Sequence, residues 1–291
     1  MSKIIVLGAS GMLGSAVIEI LQASKFEVLG SFRGDTFPDN AGEIEKFYFD
    51  ASKSYMGDLA NRLSPGDYVI NCIGAVKSQI KETDIDSRER ALEANAVFPH
   101  KLASAAEEGG FRVIQIATDC VYSGAKGNYS ENDSFDPVDL YGMSKRLGEV
   151  PSPNVMHLRT SIIGREQMTN RSLVEWVIGL GSNSREYGYT DHYWNGVTTA
   201  VFARVCRGIV EFEGFKPGIQ HLVPTGSVTK NELVNMIAKK YGRNDICFVP
   251  KVTGLKIDRT LATINTQLNL ALWNSAGFTD PPHISEMISE L

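Results

Sequence analysis

No stretch of this 291-residue chain is apolar for longer than a β-strand needs, so none of it reads as a membrane span. Cysteine is scarce: Cys72, Cys120, Cys206 and Cys247 stand far apart with no C-x-x-C pair, which argues against a disulfide framework and a metal site. An excess of positive charge is missing too. The 29 Lys and Arg against 34 Asp and Glu leave a net −5 with no basic stripe, so nucleic acid is disfavoured as a partner. There is no internal repeat and no low-complexity tract. The chain opens Met-Ser-Lys-Ile-Ile-Val, straight into a core strand rather than a signal peptide, which predicts a cytoplasmic location. What remains, 43% hydrophobic and 22% charged residues, is the balance of a globular chain able to bury a sizeable core.

The first informative stretch is that opening. Lys3 to Leu7 reads as a buried strand, and from Met12 to Leu21 apolar residues recur at helical spacing. Between them lies Gly8-x-x-Gly11-x-x-Gly14, a variant of the G-x-G-x-x-G dinucleotide turn. Gly8 permits the bend, Gly11 lets backbone approach a pyrophosphate, and Gly14 lets the helix lie close to the sheet. The helix N-terminus favours an anion there, so Gly8, Ser10, Gly11, Met12 and Leu13 are predicted to hold a dinucleotide; a turn serving packing alone is the alternative.

The second strand, Phe26 to Phe32, ends in Ser31 and Arg33, a hydroxyl and a guanidinium suited to a ribose 2′-phosphate. That predicts NADPH over NADH, although Asp35 can serve the ribose and Arg33 can be a solvated loop charge. A short strand over Phe47 to Asp50 puts Asp50 and Ala51 at the adenine edge, and a helix is expected over about Lys53 to Leu63. Asp67 to Ala75 is another buried strand, and its small exit residues, Cys72, Ile73, Gly74 and Ala75, allow a flat cofactor near the backbone. Ala91 to Glu108 is helical apart from Pro99, with Asn95 either on a polar face or at a hydrogen-bonded kink. Strands alternating with helices to about residue 160 predict an α/β fold: a Rossmann-type, doubly wound parallel sheet whose ligands bind at the carboxyl ends of its strands.

The fifth strand, Phe111 to Ala117, delivers Thr118 to that end, and a helix opening at Leu140 carries Tyr141 and Lys145 on one face. A free phenol titrates near about pH 10, and an adjacent ammonium brings it toward neutrality. Such a tyrosine can hand a proton to a carbonyl oxygen as hydride reaches its carbon, with the Thr118 hydroxyl orienting that oxygen and Lys145 also holding the nicotinamide ribose; the alternative, a non-catalytic NADP-binding redox sensor, needs the glycine turn but not these three residues.

These segments carry a family resemblance. With Thr118-Asp119-Cys120-Val121-Tyr122-Ser123-Gly124, Tyr141-Gly142-Met143-Ser144-Lys145 and Gly148-Glu149, the chain resembles the extended short-chain dehydrogenase/reductases. Within them it is similar to the dTDP-4-dehydrorhamnose reductase family, nucleotide-sugar 4-keto reductases of deoxysugar and polysaccharide biosynthesis. The resemblance is specific over residues 1–165 and loose beyond. It implies NAD(P)H reduction of a nucleotide-linked 4-keto-6-deoxy sugar, with Thr118, Tyr141 and Lys145 as the triad. It also sets Thr160 and Ser161, after the sixth strand, toward the nicotinamide. Cys120 departs from the rhamnose branch, which has Tyr at that step, and matches epimerase-reductases in which a Cys and a His move protons. His192 is the conceivable partner; a small buried thiol is the plainer reading. The 4,6-dehydratases have Glu where Cys120 stands.

Beyond residue 165 the pattern loosens. Ser172 to Ile178 is a helix stripe, and Gly188 to Gly196 is a dense aromatic and polar loop before a helix from Val197 to Glu211. Cys120, Arg165, Arg171, His192, Trp194 and Asn195 are the predicted substrate contacts, against surface charge for the arginines and a gap-filling role for the aromatics. Thr229-Lys230-Asn231-Glu232 is a capping box. The expected organisation is an NADP-binding domain over 1–165, with about 190–215 returning to it, and a smaller substrate-binding lid over 166–291. The oligomeric state stays open, a homodimer being one outcome.

Overall fold

The computed structural model describes residues 2–34, 44–166 and 172–291. Seven parallel strands form the central sheet: β1 (Lys3–Leu7), β2 (Glu27–Phe32), β3 (Glu45–Tyr48), β4 (Tyr68–Asn71), β5 (Arg112–Thr118), β6 (Val155–Thr160) and β11 (Gly218–His221), in the spatial order β11-β6-β5-β4-β1-β2-β3. The order reverses at β1, so the strands' carboxyl ends diverge there and open a crevice.

Alternation along β1 divides the core. Ile4 and Val6 face α1 (Met12–Gln22) and α7 (Thr199–Glu211), joining Val17, Ile18, Leu21, Phe202 and Val205. Ile5 and Leu7 face α4 (Phe98–Gly109), joining Phe98, Leu102 and Ala106. Strands apolar on both faces are what a parallel sheet covered by helices requires. No helix among the described residues is long and apolar enough to cross a membrane.

Local rules explain two departures from expectation. The helix expected over 53–63 shrinks to α2 (Met56–Ala60), because Asp50 takes the backbone into a turn, its Oδ1 accepting from Ser52 N at 2.9 Å and Ser52 Oγ at 2.7 Å. The helix expected over 91–108 is interrupted. Between α3 (Ile85–Leu92) and α4 lies a π turn over Glu93–Val97. Pro99 has no N–H to give the Asn95 carbonyl, so the regular α ladder breaks at that carbonyl. Gly148 closes on it, and a Cβ there would stand 2.0 Å from Asn95 O.

The stretch expected to be a loop over 188–196 holds two strands. β8 (Arg185–Tyr189) pairs with β13 (Cys247–Lys251), and β9 (His192–Trp194) lies between β12 (Val228–Thr229) and β14 (Ile257–Asp258). Their partners lie roughly 35 to 65 residues away in sequence, so a local pattern does not reveal them. The remaining elements are α5 (Leu140–Leu147), β7 (Ile162–Ile163), α6 (Leu173–Gly179), β10 (Val197–Thr198), α8 (Lys230–Lys240), α9 (Thr266–Ser275) and α10 (Ile284–Ser289).

Candidate active site

The crevice is floored by the first turn. Gly8 has φ +74°, which favours glycine, and its N–H donates to Ser31 Oγ at 3.0 Å. Gly11 caps α1 and has no side chain to accept, so among the described residues no side chain takes the N–H groups that open the helix. A Cβ on Gly14 would stand 2.1 Å from Gly8 O, so only glycine lets helix and turn meet this closely. Ser31 is buried and braces the turn from below, so its hydroxyl is already engaged. Arg33 is exposed at the end of β2. Burial pushes the neighbouring Asp50 carboxyl up, but the Ser52 donors, helped by Arg33 and Lys53, bring it below its ordinary value. Ala51 follows it, partly exposed, and Asp35 lies outside the described residues.

The exit of β4 forms the next wall. Ile73 N donates to Asn71 Oδ1 at 3.1 Å, and burial pushes the Cys72 thiol up to about 12. Asn95, on the π turn, clamps Ala75 by both backbone groups at 2.9 Å and donates to Ser144 Oγ at 3.0 Å. A Cβ on Gly74 would stand 3.1 Å from Asn95 Oδ1 and 3.9 Å from Lys145 Nζ, so the backbone here lies flush with the lysine.

The opposite wall is α5. Asp139 caps it by accepting from Gly142 N at 2.9 Å and is paired with Lys77 at 2.6 Å. Gly142 lets the helix rest on the turn after β5, where a Cβ would stand 2.1 Å from Cys120 O. Tyr141 and Lys145 therefore face the end of β5. Lys145 Nζ donates to Ile116 O at 2.7 Å, and burial lowers it to about 8 while Glu149 holds it up. Burial pushes the Tyr141 phenol above its ordinary value, Cys120 and Asp119 add to the rise, and the Thr118 hydroxyl pulls against it. Thr118 Oγ1 accepts from Cys120 N and donates to Asp119 Oδ1, both at 3.2 Å. The structure thus brings Thr118, Tyr141 and Lys145 to one place, beside Gly74.

Two cations that local sequence reading missed stand over Asp119. Burial raises that carboxyl, against the pull of Arg259 and Lys230. Lys230 opens α8 with its ammonium 5.9 Å from the Trp194 ring centre, and Arg259 Nε donates to Tyr122 O at 2.8 Å. Their signal is long-range: β12, just before Lys230, pairs with β9, and the loop after β5 docks on the segment that carries Arg259, Asn128 N donating to Thr260 Oγ1 at 2.9 Å and Tyr129 N to Thr260 O at 2.9 Å.

The predicted substrate contacts divide. Cys120 sits beside Tyr141, its thiol pushed up to about 12 by burial and by Asp119. His192 is not brought to it; its ring lies 3.3 Å from the Thr253 hydroxyl and 4.9 Å, centre to centre, from Tyr189, and no hydrogen bond joins it to Cys120 among the described residues. Trp194 is buried, donating from Nε1 to Ser161 Oγ at 2.9 Å, and Thr160, also buried, donates to Ser161 O at 3.3 Å. Asn195 is spent on backbone, bonding both Leu261 N and Leu261 O, at 2.9 and 2.7 Å. Arg165 is ion-paired with Glu175 and lies over the Tyr241 ring. Arg171 lies outside the described residues.

Behind the site a second array was also missed. Arg159, on β6, is fully buried with all its N–H donors engaged: Glu149 at 2.8 to 3.0 Å, the Tyr122 hydroxyl at 2.8 Å and His221 Nε2 at 2.8 Å. Burial and Arg159 lower His221 to about 4, so its ring is neutral and its other nitrogen donates to Ala262 O at 2.7 Å.

A profile of the family described as RmlD substrate binding domain matches residues 2–291. Methionine adenosyltransferase 2 subunit beta of Danio rerio is 26% identical over 261 residues, covering 85% of this chain and 76% of its own. The dTDP-4-dehydrorhamnose reductase of Aggregatibacter actinomycetemcomitans is 26% identical over 232 residues, covering 76% of this chain and 73% of its own. Among solved structures, the dTDP-4-dehydrorhamnose reductase of Bacillus anthracis in complex with NADP superposes with a TM-score of 0.75 at 20% identity, covering 100% of this chain and 98% of that one.

Proposed function

Since this chain belongs to the RmlD substrate binding domain family, we propose that it is an NADPH-dependent reductase of a nucleotide-linked 4-keto-6-deoxy sugar. The observation that carries the reading is the meeting of Thr118, Tyr141 and Lys145 at the carboxyl end of β5, beside Gly74 and across from the glycine turn. The turn fits a dinucleotide: among the described residues no side chain accepts from the N–H groups that open α1, Gly14 permits the close approach, and Arg33 is exposed at the ribose end. A bound nicotinamide supplies the hydride. The chain's own residues supply the rest. Tyr141, held neutral by burial, is an acid at pH 7 and protonates the keto oxygen, which the Thr118 hydroxyl orients. Lys145, an ammonium below about pH 8, supports the phenolate that forms. Lys230 and Arg259 suit the substrate's anionic group. Residues 1–165, with 190–215, would carry the cofactor and 166–291 chiefly the sugar nucleotide, in the cytoplasm.

Epimerisation through Cys120 has less support, because a thiol pushed up to about 12 is no base at neutral pH and His192 is engaged elsewhere. One observation favours a second reading. The relative named as subunit beta of a methionine adenosyltransferase supports reading this chain as a subunit of a larger enzyme, and its own glycine turn would let such a subunit hold a dinucleotide without reducing a sugar. NADPH oxidation with a panel of nucleotide 4-keto sugars separates the two. On the reductase reading Tyr141→Phe abolishes turnover and leaves NADPH affinity within about twofold; equal loss of both makes Tyr141 structural, and NADPH binding with no sugar reduced supports the subunit.

A further inference from the structure

Tyr141, Lys145 and Glu149 follow one another at four-residue spacing, so a carboxylate stands one turn beyond the lysine, just past the Gly148 cap of α5. Glu149 is not free to leave. Its side chain is 2% exposed, both its oxygens are held by Arg159 at 2.8 to 3.0 Å, and Arg159 is itself fixed by Tyr122 and His221. Gly148, pressed on the Asn95 carbonyl, seats the same segment against the residue that clamps Ala75 and Ser144.

We propose that Glu149, clamped by the buried Arg159, is a positioning residue that fixes a negative charge beneath Lys145 and keeps that side chain a cation at the Tyr141 face. This rests on the reading of Lys145 as part of the reductase site. Lys145 needs such support. It is buried, and its one hydrogen-bond partner among the described residues is a backbone carbonyl, Ile116 O. The titratable groups around it are Tyr141 on its own helix face, held neutral by burial, Cys72 at the β4 exit, His157 on β6 and Glu149. The Cys72 thiol is pushed up to about 12 and His157 down to about 4, both by burial, so both are uncharged at pH 7. Glu149 is left as the anion that raises Lys145. Glu149 in turn meets Arg159, Arg146 at 3.8 Å and Lys145; burial pushes its carboxyl up and the arginine bonds oppose that rise. Lys145 lies lowered to about 8, a thin margin over neutral pH, and loss of the anion would close it.

The test reads the Lys145 Nζ nitrogen shift against pH by NMR on protein without cofactor or substrate, with Lys145→Arg for assignment. Glu149→Gln is expected to lower the midpoint by about one pH unit. The pair Glu149→Gln with Arg159→Gln removes both buried charges and keeps a hydrogen bond, and its midpoint should stay low. Should these not fold, Glu149→Asp keeps the ion pair but draws the charge back, and its midpoint should fall by a smaller amount. A midpoint unmoved in the folded variants, or restored in the double variant, overturns the proposal and leaves Glu149 as a neutraliser of Arg159. In the reductase assay the alkaline limb of kcat should move with the midpoint. Because the titration needs no turnover, a protein that reduces no sugar refutes the reductase reading without touching this result.

Discussion

Gly14→Ala adds one methyl group at the tightest point of the dinucleotide turn. That carbon would sit 2.1 Å from Gly8 O and 2.8 Å from Ala9 Cα, both backbone atoms that no rotamer change can move. Ordinary contact begins at 3.4 Å, so α1 must back away from the turn or bend it by roughly 1 Å. Overpacking of this kind costs about 3 kcal/mol at the upper end, and the better helix propensity of alanine returns about 1 kcal/mol. A net loss of ~2 kcal/mol lowers the Tm by about 4 °C in a chain of this size. The same retreat withdraws the helix N–H groups from the pyrophosphate, so NADPH should bind at least about tenfold more weakly, which is about 1.4 kcal/mol. Gly11→Ala is the control. Its methyl meets one atom, at 3.3 Å, so thermal stability should barely change while the side chain intrudes on the cofactor's path. Thermal melts and fluorescence titrations with NADPH read both quantities. A Gly14→Ala protein that melts and binds like wild type would falsify the account of the turn.

Two further outcomes are expected. Arg33→Ala should weaken NADPH at least about tenfold and leave NADH unchanged if this exposed guanidinium has the proposed place at the extra phosphate; an equal effect on both cofactors would remove it from the 2′-phosphate role. Cys120→Ser should keep turnover within about threefold between pH 6 and 8, because a thiol pushed up to about 12 changes no charge there; loss of activity together with loss of solvent-deuterium uptake into the sugar would restore the epimerase reading.

Features that depend on neighbours in sequence were legible in advance. The β1 strand, the Gly8-Gly11-Gly14 turn and the alternation of strands with helices follow from periodicity and glycine spacing, and the comparison with known structures agrees with the fold. Tyr141 and Lys145 could be placed on one helix face for the same reason. What stayed hidden depends on partners far along the chain. Arg259 looks like a surface charge until the loop after β5 docks on the segment after β14, and Lys230 until β12 pairs with β9. Asn195 looks like a ligand contact until Leu261 claims both ends of its amide. Ser31 sits where a ribose phosphate would be met, yet its hydroxyl turns inward to the Gly8 amide. The wider lesson concerns polar side chains: several local readings gave them to a ligand, whereas buried backbone groups claimed them first.

The strand that completes the sheet comes late. β11 begins at residue 218 and lies beside β6, which ends at residue 160. A chain growing from the ribosome therefore carries β6 as a bare edge, its N–H and C=O row open to strangers, until the following elements have emerged. Arg159 waits with it, short of the imidazole that takes its last donor. The glycine-turn half is consequently no portable module: cut away before residue 218, it would expose an aggregation-prone edge and an arginine with an unmet hydrogen bond inside its own core.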